Sequence, residues 1–145
     1  MVGIFDSGSG GLSVFRELRK LLPEESFVYY SDNAHCPYGE KGRDYIISRA
    51  QWITGFLLEK GADIIVVACN TASTVVKPRC AYLLEPNLKN LNPESTLILA
   101  TPATSMALKL DKLGYGIGDT KNLATAVEIL AETAFKAQDI SVFER

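Results

Sequence analysis

The chain has 145 residues, 47% hydrophobic and 22% charged, with a formal net charge of -2. That balance fits a globular chain of one domain or slightly more. It offers no basic surface for nucleic acid or an anionic membrane, and no apolar run nears the roughly 20 residues that span a bilayer. The first residues lack a basic stretch ahead of their short apolar run, so no signal peptide is expected. The three cysteines, Cys36, Cys69 and Cys80, form neither CxxC pairs nor a metal-ligand pattern, and His35 is the only histidine. A reducing cytoplasm suits such cysteine usage.

Val2 to Phe5 reads as a short strand running into Asp6-Ser7-Gly8-Ser9-Gly10-Gly11. Glycines there allow a tight turn and a close approach of backbone to a ligand. Leu12, Phe15, Leu18, Leu21 and Leu22 then recur at helical spacing, and Pro23 ends that helix. Strand, glycine-rich loop and helix together often bind anions. The third glycine of GxGxxG and the Lys-Ser/Thr of a P-loop are both lacking. Asp6 is therefore either a turn-former or a functional carboxylate.

Phe27 to Tyr30 reads as a second strand, followed by Ser31-Asp32-Asn33 and the loop Ala34 to Gly42, which contains Pro37-Tyr38-Gly39. A helix is expected from about Arg43 to Lys60, with Tyr45, Ile46, Ile47, Trp52, Ile53, Phe56 and Leu57 as its core face. Gly61 is placed as its C′ cap. Ile64 to Ala68 is an unbroken, β-branched apolar run, as expected of a strand buried on both faces. It ends at Cys69-Asn70-Thr71.

The order β-α-β-α-β implies a parallel sheet with right-handed crossovers and helices on its faces. Ligands of such sheets sit beyond the carboxyl ends of the strands. Asp6-Ser7, Pro37-Tyr38-Gly39 and Cys69-Asn70-Thr71 would then share one rim. That convergence argues against an inert, buried Cys69, the ordinary fate of a lone thiol.

Taken together, Asp6-Ser7-Gly8-x-Gly10-Gly11, Pro37-Tyr38-Gly39-Glu40-Lys41 and Val67-Ala68-Cys69-Asn70-Thr71-Ala72 resemble the three N-terminal motifs of glutamate racemase, in order and spacing. Leu99-Ala100-Thr101-Pro102-Ala103-Thr104 resembles the motif that opens that family's second lobe. The resemblance implies a flavodoxin-like, three-layer α/β lobe over residues 1–92 and the beginning of a second, incomplete lobe over 93–145. It also implies a cytoplasmic, cofactor-independent and metal-free racemase that makes D-glutamate for peptidoglycan, with glutamate as its small-molecule partner. Two thiols on opposite faces of the substrate would exchange the α-proton. A base works best with a pKa near the operating pH, so the thiol should be depressed from about 8.5. By resemblance Cys69 is one acid/base thiol with Asp6 beside it. Asp6, Ser7, Tyr38, Gly39, Asn70 and Thr71 would bind the amino acid, with Thr104 a weaker candidate.

Three departures accompany the resemblance. The family's second cysteine lies in a Cys-Thr-His-Tyr-type motif, which this chain lacks. The segment Val75 to Leu91 looks short, with Lys77-Pro78-Arg79 interrupting it, and should be the least regular part. The chain stops before the second lobe's remaining strands, as in a truncated or internally deleted form. Apolar surface near Leu97–Leu99 and on an expected helix Leu123–Leu130 would then be uncovered, favouring a homo-oligomer. Cys36 and Cys80 are poor replacement thiols, the first on the same lobe as Cys69 and the second in the shortened segment.

The alternatives are a non-catalytic racemase-like module that binds a small amino acid or a partner, and an aspartate or hydantoin racemase relative. A cysteine phosphatase would need arginine at the sixth position after Cys69, where Val75 stands. A flavin-phosphate binder would suffer repulsion from Asp6.

Overall fold

The computed structural model describes residues 1–76, 80–82, 92–109 and 116–118. In chain order these form β1 (Val2–Asp6), α1 (Leu12–Leu21), β2 (Phe27–Ser31), α2 (Arg43–Glu59), β3 (Ile64–Val67) and a one-turn helix α3 (Asn70–Ser73). After them come β4 (Cys80–Tyr82), β5 (Leu97–Leu99), α4 (Pro102–Leu108) and β6 (Gly116–Gly118). Single 3-10 turns lie at Asn33–His35, Tyr38–Glu40 and Pro93–Ser95.

Four strands form a parallel sheet in the order β2-β1-β3-β4, and β5 pairs in parallel with β6 in a second sheet. The pairing of β1 with both β2 and β3 is parallel, as the alternation of strands and helices predicts. Side chains of a strand alternate between faces, and here the alternation sorts them into two cores. Phe5, Ile65 and Val67 pack with Ile46, Ala50, Ile53 and Leu57 of α2. Val2, Ile4 and Ala68 pack on the other face with Val14, Phe15 and Leu18 of α1. Helix, sheet and helix make the three layers.

The helices present narrower faces than the sequence suggests. In α2 the buried residues are Ile46, Ala50, Ile53 and Leu57, with Ala50 letting the helix lie close to the sheet. Tyr45 and Trp52, expected in the core, are exposed, because their positions turn away from this stripe. Trp52 instead stacks on Phe56, meets Tyr30 edge-on and lies under the Arg49 guanidinium. In α1, Leu21 and Leu22 at the last turn are exposed rather than buried. Gly61 has φ +91°, as its place after α2 requires.

Two elements were not legible from the sequence. Strand β4 falls within the segment expected to be least regular, whose residues 77–79 and 83–91 lie outside the described ones. Helix α3 starts directly at Cys69. The expected helix Leu123–Leu130 also lies outside the described residues.

Candidate active site

β1 and β3 are neighbours, and both end on the same edge of the sheet. Beyond Asp6 the chain makes a tight loop into α1, which the Asp6 carboxylate closes. It accepts the Ser7 N–H at 2.8 Å on Oδ1 and the Gly11 N–H at 2.8 Å on Oδ2. A Cβ on Gly11 would come within 2.8 Å of Ala68 Cβ, Asp6 Cβ and the Tyr29 hydroxyl, so only glycine permits this approach. Asp6 is thus a turn-former, one of its two expected roles, and it stands at the rim beside Cys69.

Cys69 caps α3, its Sγ accepting the Ala72 N–H at 3.4 Å. The position usually held by Ser, Thr, Asp or Asn is here held by a thiol. The same sulfur donates to Ser7 Oγ at 3.3 Å. Cys69 is buried, and Asn70 beside it is exposed. Burial pushes the thiol up from its ordinary value and the Asp6 carboxylate adds to this, while the contacts with Ser7 and Ala72 only partly offset it. The direction of this shift is opposite to the depressed thiol that proton abstraction calls for.

Thr71 is buried, and its Oγ1 lies 2.9 Å from Thr101 Oγ1. Thr101 caps α4 by accepting the Thr104 N–H, and its hydroxyl donates to Thr104 Oγ1 at 3.1 Å. Gly39 closes the same seam. A Cβ there would sit 2.6 Å from Thr101 Cγ2. Gly39 and Thr71, both expected at a substrate, thus also join the loop, α3 and α4.

Tyr38 departs most from expectation. It is 1% exposed, its ring lies in the α2 core, and its hydroxyl donates to Asp32 Oδ2 at 2.6 Å. Burial and Asp32 raise the phenol above its ordinary value. The side chain is committed to the interior, so what this residue leaves for a ligand is backbone next to Gly39.

The group that sequence reasoning left unassigned is Asp32. It is 2% exposed and accepts from Arg49 Nε at 3.0 Å, Arg49 Nη2 at 2.6 Å and Tyr38, with His35 Nδ1 2.8 Å away. Burial alone would raise this carboxyl, but hydrogen bonds from Arg49, Tyr38 and His35 hold it below the usual carboxylate range. Its backbone N–H also donates to the Asp6 carbonyl at 3.0 Å. A signal existed, since Asp32 follows the end of β2 as Asp6 ends β1. Arg49 carried none, being one of two arginines on α2 with no motif around it.

Cys80 lies on β4, set back from the end of the strand that precedes Cys69. It pairs with Ile65, four residues back along β3 from Cys69, about 13 Å at the strand rise. Cys36 lies in the loop after β2, on the same lobe as Cys69, and precedes a cis peptide to Pro37.

No family model matches the chain. A glutamate racemase of Pseudomonas paraeruginosa is 41% identical over 143 residues, covering 98% of this chain and 51% of that protein. Another, of Stutzerimonas stutzeri, is 47% identical over 113 residues, covering 78% and 40%. The solved glutamate racemase of Aquifex pyrophilus superposes with a TM-score of 0.67 at 37% identity, covering 81% of this chain and 53% of that one. The Escherichia coli enzyme, solved with L-glutamate and the activator UDP-MurNAc-Ala, superposes with a TM-score of 0.71 at 31% identity, covering 84% and 53%. The chain spans about half the length of these relatives, and its main sheet with the flanking helices is an α/β lobe of the glutamate racemase type.

Proposed function

We propose that this glutamate racemase-like chain carries one face of a cofactor-independent racemase site, with Cys69 moving a proton at the α-carbon of glutamate. The observation that carries the reading is the Cys69–Ser7 contact of 3.3 Å beside Asp6, at the adjoining ends of β3 and β1. The similarity to glutamate racemases supplies the substrate.

Burial and Asp6 raise the thiol, so binding must favour the thiolate. An α-ammonium seated by Asp6 offsets the carboxylate charge that opposes ionisation, and Ser7 and the Ala72 N–H then stabilise the anion. The thiol proton leaves to solvent as the substrate binds; the thiolate then takes the α-proton, and the electron pair left on carbon spreads into the substrate carboxylate. Donors around that carboxylate, from Asn70, Thr71 and the backbone at Tyr38-Gly39, must be in place beforehand, the Ser7 hydroxyl being taken by the sulfur. The Cys-Thr-His-Tyr sequence of a second face does not occur in this chain. Acting by themselves, these 145 residues are expected to return a solvent-exchanged proton from the Cys69 thiol to the same side.

In heavy water we expect slow α-deuterium incorporation into one enantiomer of glutamate with negligible inversion, abolished in Cys69→Ala. Rapid racemisation by the pure chain would reveal a second acid/base group and refute the one-sided mechanism. Binding without any exchange would favour a non-catalytic amino-acid-binding module, a reading that the upward shift of the Cys69 thiol supports. Faster exchange of aspartate than of glutamate would move the assignment to an aspartate racemase relative.

The remaining features follow from the same proposal. D-Glutamate for peptidoglycan would be made in the cytoplasm, with residues 1–92 as the first lobe and 93–145 as part of the second. Neither nucleic acid nor membrane is a partner. Leu97 and Met106 are 65% and 77% exposed, and self-association would cover them. A concentration-independent monomer in light scattering would count against that association.

A further inference from the structure

We propose that Arg49 is a positioning residue of the Cys69 site, acting through Asp32 and Tyr38 without touching the substrate. The proposal rests on the reading of Cys69 as the site's thiol.

Arg49 projects from the first half of α2, whose buried residues Ile46, Ala50, Ile53 and Leu57 pack in the core. Its Nε and Nη2 grip both oxygens of Asp32, a planar fork that fixes the carboxylate in orientation as well as charge. Asp32 has two further attachments. Its backbone N–H holds the Asp6 carbonyl, and Asp6 carries the carboxylate beside Cys69. Its Oδ2 accepts from Tyr38, which anchors the turn Tyr38–Glu40. Gly39 in that turn packs on Thr101, and Thr101 meets Thr71, two residues after Cys69. Tyr38, Cys69 and Ala72 belong to one buried cluster.

Both branches from Asp32 thus end at the thiol, one through β1 and one through the Tyr38 turn. A second argument is electrostatic. A carboxylate this buried is costly unless paired, and Arg49 carries the cation gripping it at bonding distance. No buried side-chain polar atom among the described residues lacks a partner. Loss of the guanidinium leaves Asp32 to take up a proton or turn toward water. Either change releases Tyr38 and uncovers Cys69.

The test is the rate of iodoacetamide alkylation at Cys69 against pH, followed by peptide mass spectrometry on the whole chain. Groups facing the sulfur are the Asp6 carboxylate, the Ser7 hydroxyl and the Ala72 N–H. Arg49→Gln is expected to speed alkylation about three- to ten-fold and to move its midpoint down toward an ordinary thiol. Tyr38→Phe should reproduce this, and the double variant should add little to either. Arg49→Lys, which keeps the charge but not the fork, should fall between and serves if Arg49→Gln does not fold. Leu57→Ala, a core change further along α2, supplies the purely structural comparison.

Equal responses in Leu57→Ala and Arg49→Gln, or fully additive effects of Arg49→Gln and Tyr38→Phe, would overturn the proposal. Alkylation needs no turnover, so a chain that exchanges no α-proton defeats the catalytic reading and leaves this one to be judged separately.

Discussion

Thr71 Oγ1 and Thr101 Oγ1 lie 2.9 Å apart and join α3 at the rim of the four-stranded sheet to the cap of α4. Gly39 leans on the same threonine, its missing Cβ leaving room for Thr101 Cγ2. One side chain therefore receives both the loop after β2 and the helix after β3. Gly39→Ala should cost about 1–3 kcal/mol, the usual range for overpacking. Thr101→Ser removes the clashing methyl and keeps the hydroxyl, so part of that cost should disappear in the double variant. Urea unfolding of the four proteins in the cycle measures it, and an additive result would mean that the seam does not bear on Gly39.

Acid stability should depend on Asp32. Its carboxyl is held below the usual value in the folded chain, so the unfolded chain binds more protons as pH falls below about 4. The stabilisation is present above the unfolded-state value and is lost as pH drops through the folded-state value. Asp32→Asn should be less stable at neutral pH and should show a shallower decline between about pH 5 and pH 2. Urea midpoints over that range test this, and parallel curves for the two proteins would contradict it.

The alkaline side belongs to Cys69. Its thiol is raised by burial and by Asp6, so the folded chain keeps the proton after the unfolded chain has lost it. Stability from this group is present below the ordinary thiol value of about 8.5 and declines as pH rises beyond it. Asp6→Asn should bring the alkylation midpoint down, whereas Ser7→Ala should push it up by removing a partner of the anion. A downward shift in Ser7→Ala would show that Ser7 does not support the thiolate.

Trp52 is the only tryptophan and is 52% exposed. Its emission should be that of a solvent-facing indole, readily quenched by acrylamide. Arg49→Gln removes the guanidinium 4.9 Å from the ring and should alter that emission without moving α2. Quenching as slow as for an interior tryptophan would place the ring in the core.

Much of this architecture is readable from local pattern. The short apolar runs Val2–Phe5, Phe27–Tyr30 and Ile64–Ala68 give the strands to within a residue, although only β1 is buried throughout: β2 is half-buried and Ile64 of β3 is exposed. The place of Cys69 and Asp6 at one rim follows from topology alone. Other features depend on three-dimensional packing. Tyr38 looked like a ligand contact because its loop does reach the rim, yet the ring turns inward to Asp32. Arg49 and Asp32 are 17 residues apart, and only the fold of α2 onto β2 brings them together. Trp52 was placed in the core by its hydrophobicity, whereas Ala50, smaller and less conspicuous, occupies the buried stripe.

Cys69 accepts the Ala72 N–H that begins α3 with the same sulfur that faces Ser7. Helix capping and the proposed acid/base role are thus vested in one atom. Anything that adds bulk to that sulfur, whether an oxygen, a mixed disulfide or an alkyl group, also interferes with the start of the turn that carries Thr71. An oxidised chain would lose the thiol and, with the Thr71–Thr101 bond, one of its holds on α4. Loosening near α4 in hydrogen exchange would then report the redox history of a residue that lies outside it.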